Sequence, residues 1–161
     1  MIRARLTAAI AATLLILAAA PGAAQAAELP DVHPDVAYAL AAEPGGIATS
    51  YNTAEWPELG MKITVPSTTQ RTVTALAAVG SCATGYICAY SGASLSGTRL
   101  QWSTCGSKST TALGSVGSIA NGRSSGTLQA RQGTTVRASA GASSYANVSA
   151  SYRTAISNVY C

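Results

Sequence analysis

Apolar and polar residues alternate in several short stretches of the C-terminal half of the chain, and this period of two is typical of β-strands. In one of them Thr98, Leu100 and Trp102 fall on one face and the intervening residues are polar, which predicts a strand with one buried face. Glycine-containing turn signals separate the stretches at regular spacing, which predicts a small antiparallel sandwich or barrel. The predicted strands are 86–90, 98–102, 116–120, 126–130, 134–138 and 155–160.

The segment before this β-rich module has one helical pattern and one hairpin pattern. Residues 35–42 predict a short helix with Asp35 as its N-cap, and a glycine pair stops it. The turn-like residues 57–60 precede an alternating stretch, which predicts a β-hairpin around them. Trp56, just before the turn, is expected to be a packing residue. Residues 67–80 are rich in Thr, Ala and Val and are interpreted as a flexible linker or a loosely held strand.

The N-terminus has the three parts of a secretory signal. Arg3 and Arg5 precede a run of apolar and small residues, and small residues flank Gln25 in the form that a signal peptidase needs. A retained membrane anchor is the alternative, but the run is too short and too alanine-rich to be preferred as a spanning helix. We therefore expect a secreted, extracellular protein with no stable membrane anchor. The predicted organisation is a signal peptide at 1–26, an acidic leader at 27–66, a linker at 67–80 and a β-domain at 81–161.

Export to an oxidising compartment predicts that the four cysteines form two disulfides. Of the three possible pairings we favour Cys82 with Cys88, because only a short glycine-containing segment separates them; Cys105 then pairs with Cys161. A zinc site is the rival interpretation. It is disfavoured, because the single histidine, His33, lies far upstream and four-cysteine sites usually use closer pairs.

Acidic and basic residues are segregated along the chain. The six acidic residues all lie between positions 28 and 58, and from residue 62 onward the chain carries bases alone. This bipolarity predicts either that the acidic leader is drawn onto the basic module or that a solvated linker lies beside a modestly basic surface. The bases are spread singly without interleaved aromatic residues, so nucleic acid is not an expected partner.

The β-rich module lacks the groups that most enzymes use. It has no carboxylate pair for glycoside hydrolysis and no histidine for a Ser-His-Asp or Cys-His arrangement. A catalytic site would have to borrow Asp31, His33 and Asp35 from the leader, where His33 is expected to be a solvated loop residue. We therefore predict a protein that is not an enzyme, with no catalytic residues, no cofactor and no bound metal.

Residues 82–99 read CATGYICAYSGASLSGTR. Within them Tyr90, Leu95 and Gly97 fit the hairpin signature of βγ-crystallin Greek keys, in which Leu95 stands where an aromatic residue is usual and the glycine permits a folded-over hairpin. The whole stretch resembles the opening of the Streptomyces-type secreted metalloproteinase inhibitors, a peptidase inhibitor family with a βγ-crystallin-like domain. Residues 118–122 are similar to the end of their first Greek key, and residues 156–159 to the counterpart in the second.

The resemblance implies an all-β, βγ-crystallin-like double Greek-key sandwich, preceded here by a signal peptide and a short helix and hairpin leader. It also implies a secreted inhibitor, which we expect to be a monomer, that blocks an extracellular metalloproteinase by binding. Many crystallin-type keys bind calcium through Asn or Asp pairs. The matching positions here supply no carboxylate, so no calcium site is expected. They are Ser115, Val116, Arg153 and Thr154.

In the inhibitor family a rigid, disulfide-closed loop engages the protease, whereas the matching region here, residues 135–144, has no cysteine. It therefore lacks the constraint that preorganises a substrate-like inhibitor. Arg137 is the side chain most able to engage a cleft, or alternatively a plain solvent-facing strand residue. The candidate inhibitory loop consists of Val136, Arg137, Ala138, Ser139 and Ala140.

A second hypothesis uses the basic β-surface rather than a loop. In this interpretation the protein is a non-catalytic binding or structural module of the extracellular space or cell wall. Its partner is then an anionic cell-surface polymer such as teichoic acid or polysaccharide instead of a protease.

Overall fold

The computed structural model describes residues 31–67 and 77–161. The predicted signal peptide, residues 1–26, and most of the predicted linker lie outside the described residues. The helix α1 spans Pro34–Ala42, and short 3₁₀ turns span Pro57–Leu59, Thr111–Leu113 and Ala150–Ala155. The strands are β1 (Ile47–Ser50), β2 (Thr53–Trp56), β3 (Met61–Thr64), β4 (Ala77–Val79), β5 (Cys82–Ala83), β6 (Ile87–Tyr90), β7 (Arg99–Trp102), β8 (Ser107–Ser109), β9 (Ser118–Asn121), β10 (Leu128–Gln132), β11 (Thr135–Ala140), β12 (Ser144–Asn147) and β13 (Asn158–Tyr160).

These strands form two main antiparallel sheets. The first has seven strands in the order β1-β2-β3-β7-β6-β9-β12, and the second has four in the order β11-β10-β13-β8. Strands β4 and β5 form a separate two-stranded ribbon. The predicted all-β class is confirmed, with α1 as the one α-helix of the described residues.

The two halves of the β-module exchange strands. In the first half β6 and β7 form a hairpin, β8 crosses to the four-stranded sheet, and β9 returns beside β6. In the second half β10 and β11 form a hairpin, β12 crosses to the seven-stranded sheet, and β13 returns beside β10. Each half therefore places its third strand in the sheet of the other, which ties the two sheets together.

The inward-facing side chains of both sheets meet in one hydrophobic core. Leu100 and Trp102 of β7, Leu128 of β10 and Val159 of β13 are all at most 1% exposed. Their alternation with polar residues is the pattern from which the strands were predicted. Because large apolar side chains are few, a thin core of this kind gains from covalent ties between its strands.

The acidic segment is built into the same sheet as the module. Strand β3 pairs with β7, so that Met61 lies opposite Trp102 and Ile63 opposite Leu100. Trp56 is 1% exposed, which confirms it as a packing residue, and Val36 of α1 is fully buried in the same core. The segment therefore supplies strands and core side chains to the fold.

The start of α1 differs from its prediction. The N-cap is His33, whose Nδ1 accepts a hydrogen bond from the backbone N–H of Asp35 at 3.1 Å. Asp35 cannot be the cap, because the helix already begins at Pro34, and its carboxylate instead accepts a hydrogen bond from the Thr98 hydroxyl. His33 is therefore not a solvated loop residue; it is half-buried and packs edge-on against Tyr51.

Candidate functional site

The predicted inhibitory loop forms most of β11, an edge strand of the four-stranded sheet. Within the described residues, β11 pairs with β10 on one side and has no strand on the other. Val136 is 44% exposed and Ser139 is exposed, whereas Ala140 is 1% exposed and faces the core. Residues 136–139 are thus the part of the candidate set that a partner can reach.

A β-bulge shapes the β10–β11 hairpin. Ala130 pairs with Ala138 and Arg131 with Val136, which leaves Arg137 as the extra residue. A bulge increases the local twist and redirects a side chain, and bulges are common beside functional sites. The hairpin turn contains Gly133 at φ 59°, a backbone conformation that glycine adopts without steric cost.

The side chain of Arg137 is held against the body of the protein. Its Nε and Nη2 donate hydrogen bonds to Oε1 of Gln132 at 3.2 and 2.8 Å, and its guanidinium lies 4.0 Å from the ring centre of Tyr152. Gln132 is the last residue of β10, so this contact joins the two strands of the hairpin. Arg137 is therefore half-buried and stiffens β11.

A second arginine of the hairpin has the same arrangement. Nε of Arg131 donates to Oε1 of Gln129 at 2.9 Å, Nη2 donates to the same oxygen, and the guanidinium lies 3.9 Å from the ring centre of Tyr160. The stacking of Arg131 on Tyr160 and of Arg137 on Tyr152 was not predicted from the sequence. The contact between Gln129 and Arg131 could have been predicted from their spacing, because residues two apart on a strand share a face.

Both predicted disulfides are present. Cys82 and Cys88 join β5 to β6 with Cα atoms 5.9 Å apart, and Cys105 and Cys161 join the β7–β8 connection to the C-terminal residue with Cα atoms 5.5 Å apart. All four cysteines are thus bonded. Two disulfides indicate an oxidising environment.

Two of the other candidate groups have structural contacts. His33 caps α1 and Asp35, in its first turn, accepts a hydrogen bond from the Thr98 hydroxyl, while Asp31 precedes the helix. A cavity of about 440 Å³ opens beside Asp35 and Tyr38, between α1 and the second 3₁₀ turn. The Asp35 carboxylate already accepts a hydrogen bond from the neutral Thr98 hydroxyl, and the residues lining the cavity include no second carboxylate and no histidine, lysine or arginine.

Two of the positions that match the crystallin-type calcium ligands, Val116 and Arg153, are in contact. The backbone N–H of Val116 donates to the carbonyl oxygen of Arg153 at 2.8 Å, although the Val116 side chain is fully buried. Within the described residues, no group of three or more His, Cys, Asp or Glu side chains is placed to hold a metal ion. No helix in the same ranges is long and apolar enough to cross a membrane.

Tyr90 and Arg99 form a desolvated pair on the neighbouring strands β6 and β7. Burial raises the pKa of Tyr90, while its hydrogen bond with Ser81 and the charge of Arg99 act in the opposite direction. Burial also lowers the pKa of Arg99, whose Nη1 donates to the Ser81 carbonyl oxygen. The pair fixes the corner at Ser81, next to the Cys82–Cys88 bridge.

No family model, no curated protein and no solved structure matches this chain. The features that bear on function are therefore the geometry of the β10–β11 hairpin and the resemblance carried by residues 82–99.

Proposed function

We propose that the protein is a secreted, non-enzymatic inhibitor of an extracellular metalloproteinase, and that β11 enters the protease cleft. The open edge of β11 is the observation that carries the proposal. It presents an extended six-residue strand with an exposed apolar side chain, Val136. An exposed strand edge pairs with another chain through main-chain hydrogen bonds, while pockets for alternate side chains give specificity.

The stiffness of the hairpin supports this proposal in the absence of a disulfide-closed loop. The Arg137 side chain contacts both Gln132 of β10 and Tyr152 of the third 3₁₀ turn. These contacts tie β11, at its bulge, to β10 and to that turn. A segment already fixed in its bound conformation loses less conformational entropy when it binds. Val136 is then the contact that enters a pocket, and Arg137 is a positioning residue.

We also propose that the two halves of the module are crystallin-like Greek keys. The exchange of third strands between the sheets supports this assignment. So does the first hairpin, where Leu95 and Gly97 have φ of 62° and 76° as a folded-over turn requires. The disulfides and the signal-like N-terminus support secretion.

The test uses the disulfide-bonded protein and a panel of extracellular zinc metalloproteinases, including thermolysin-like enzymes. We expect inhibition at micromolar concentration or below, and a loss of about tenfold or more in Val136→Asp, because a charge cannot be desolvated in an apolar pocket without cost. Tyr145→Asp is the matched control, since Tyr145 is 48% exposed on the edge strand of the other sheet. Full protease activity in the presence of the wild-type protein would overturn the proposal, and equal losses in both variants would remove β11 as the site.

A further inference from the structure

Apart from Val136, the outer face of the four-stranded sheet is mostly polar, and it carries no acidic side chain. Leu128, Ala130 and Val159 point into the core, so the residues that alternate with them face outward. Strand register places small hydroxyl and amide side chains around a central arginine and tyrosine. The outward-facing residues are Ser139, Gln129, Tyr160 and Ser107 in one row, and Val136, Arg131, Asn158 and Ser109 in the next.

We propose that this face binds an anionic polysaccharide, with the guanidinium of Arg131 as the receptor for its charged groups. Gln129 accepts hydrogen bonds from Nε and Nη2, and the ring of Tyr160 supports the guanidinium plane. This arrangement leaves the end of the guanidinium, formed by Nη1 and the second N–H of Nη2, for an external acceptor. A carboxylate or phosphate group binds such an end through two parallel hydrogen bonds.

The fixed position of Arg131 distinguishes it from an ordinary surface base. A free arginine loses side-chain entropy when it binds an anion, whereas this guanidinium is already stacked and hydrogen-bonded. It also has no carboxylate partner within the described residues, where the one ion pair joins Lys62 to Glu55 on the N-terminal hairpin. The site therefore offers an ordered, uncompensated positive charge.

The neighbouring side chains indicate the rest of the ligand. The Asn158 amide nitrogen already donates to Gly133 and Ser157, and Gln129 Oε1 already accepts from Arg131. The groups that remain to suit the hydroxyl groups of sugars are the hydroxyls of Ser107 and Ser139, the Gln129 amide nitrogen and the Asn158 Oδ1. Four strands about 4.8 Å apart form a surface about 14 Å wide, across which an extended polymer can lie. Lys108 and Arg137 belong to the edge strands β8 and β11 of the same sheet. Lys108 pairs with Val159 and so lies on the other side of the sheet from Arg131, and both bases contribute through the longer-range positive potential alone.

The experiment measures binding of the full disulfide-bonded protein by affinity electrophoresis and by calorimetry. The probes are polygalacturonate, which carries carboxylates, purified wall teichoic acid, which carries phosphates, and neutral dextran. We expect binding to at least one of the anionic polymers and none to dextran, with affinity falling as salt rises. A difference between the two anionic probes identifies the anion. No binding to either of them overturns the proposal.

Single-residue variants distinguish polymer binding at Arg131 from nonspecific electrostatic attraction to the basic surface as a whole. Arg131→Gln is expected to lower the affinity about tenfold or more, and Arg131→Lys to recover little of it, because a lysine keeps the charge without the planar fork. Arg123→Gln removes the same charge from the connection after β9 and is expected to change affinity less than twofold. Equal losses in Arg131→Gln and Arg123→Gln, or full recovery by Arg131→Lys, would refute the site.

This inference does not depend on the proposed protease inhibition. Arg131→Gln leaves the open edge of β11 intact and is expected to inhibit a metalloproteinase as the wild type does. Polymer binding without inhibition contradicts the proposed function alone, and inhibition without polymer binding contradicts this inference alone.

Discussion

Packing within the acidic segment can be tested at Gly46 and Trp56. Gly46 precedes β1, and a Cβ atom added to it would lie 2.6 Å from both Nε1 and Cζ2 of the Trp56 indole and closer still to Cε2. The indole cannot easily move away, because its N–H donates to the carbonyl oxygen of Glu43 at 2.7 Å and the ring is 1% exposed. Gly46→Ala should therefore force an overlap that only a distortion of the core relieves.

The size of the effect follows from two opposing terms. Overpacking typically costs about 1–3 kcal/mol. Alanine lowers the entropy of the unfolded chain relative to glycine, which offsets roughly 0.4–1 kcal/mol of that cost where the backbone can accept it. We therefore expect Gly46→Ala to lower the free energy of unfolding by about 1–2 kcal/mol.

The partner variant, Trp56→Phe, tests the same contact from the other side. It leaves the Glu43 carbonyl oxygen without its buried donor, which costs about 1–3 kcal/mol. It also removes the indole atoms that crowd position 46, so an alanine there meets less resistance. The double variant should therefore be more stable than the sum of the single effects predicts, by about 1 kcal/mol.

The measurement is urea unfolding with both disulfides intact, followed by the fluorescence of Trp102, which is buried and present in every variant. Gly141→Ala is the control, because nothing lies within 4 Å of its added Cβ, and its effect should stay within about 0.5 kcal/mol. Additive losses in the double variant, or a neutral Gly46→Ala, would refute the reasoning and with it the close packing of the N-terminal segment.

Three further predictions concern the module itself. Replacing Cys105 and Cys161 together by serine should lower the free energy of unfolding by about 4 kcal/mol, as expected for opening a loop with a separation of 56 residues; a loss below about 1 kcal/mol in urea unfolding would contradict this. Gly117→Ala should destabilise by about 2 kcal/mol or more, because its Cβ would lie 2.6 Å from the backbone oxygen of Gly92; thermal unfolding checks this, and an unchanged midpoint would count against it. Burial raises the pKa of the Tyr90 phenol above its ordinary value of 10.0. As the pH rises past about 10, this phenol therefore ionises in the unfolded chain before it ionises in the folded protein, and the free energy of unfolding falls. Urea unfolding at about pH 9 and about pH 11 should therefore show a smaller alkaline loss in Tyr90→Phe than in the wild type, and an equal loss would contradict this.

Local sequence patterns were sufficient to predict a strand where apolar and polar residues alternate, and a hairpin where characteristic turn residues occur. The alternation around Leu100 predicted β7, and the turn at Pro57–Leu59 predicted the hairpin of β2 and β3. Strands β8 and β12 were missed, because Ser107–Ser109 and Ser144–Asn147 are mostly small and polar and are held by pairing with distant strands. The pairing of β3 with β7 was also beyond local reasoning, since an alternating pattern identifies a strand without its partner.

Only part of the candidate site could be predicted from the sequence, for a related reason. The sequence pattern predicted a strand at 134–138, and β11 extends that strand to Ala140; the inhibitory loop at 136–140 came from the family resemblance instead. The predicted end of β10 at residue 130 was two residues short, which left Arg131 outside any strand. Its stacking on Tyr160 depends on β10 pairing with β13, a contact between residues far apart in the chain.

The charge segregation of the sequence persists in the folded protein, because the acidic segment is attached by other forces. Its strand β3 is held by backbone pairing, and its buried side chains join the common core. Asp35 and Glu43 accept hydrogen bonds from the neutral hydroxyls of Thr98 and Thr111. The Lys62–Glu55 pair is solvent-exposed and contributes little to stability. Within the described residues no acidic side chain forms an ion pair with an arginine of the four-stranded sheet, so that sheet retains its positive charge.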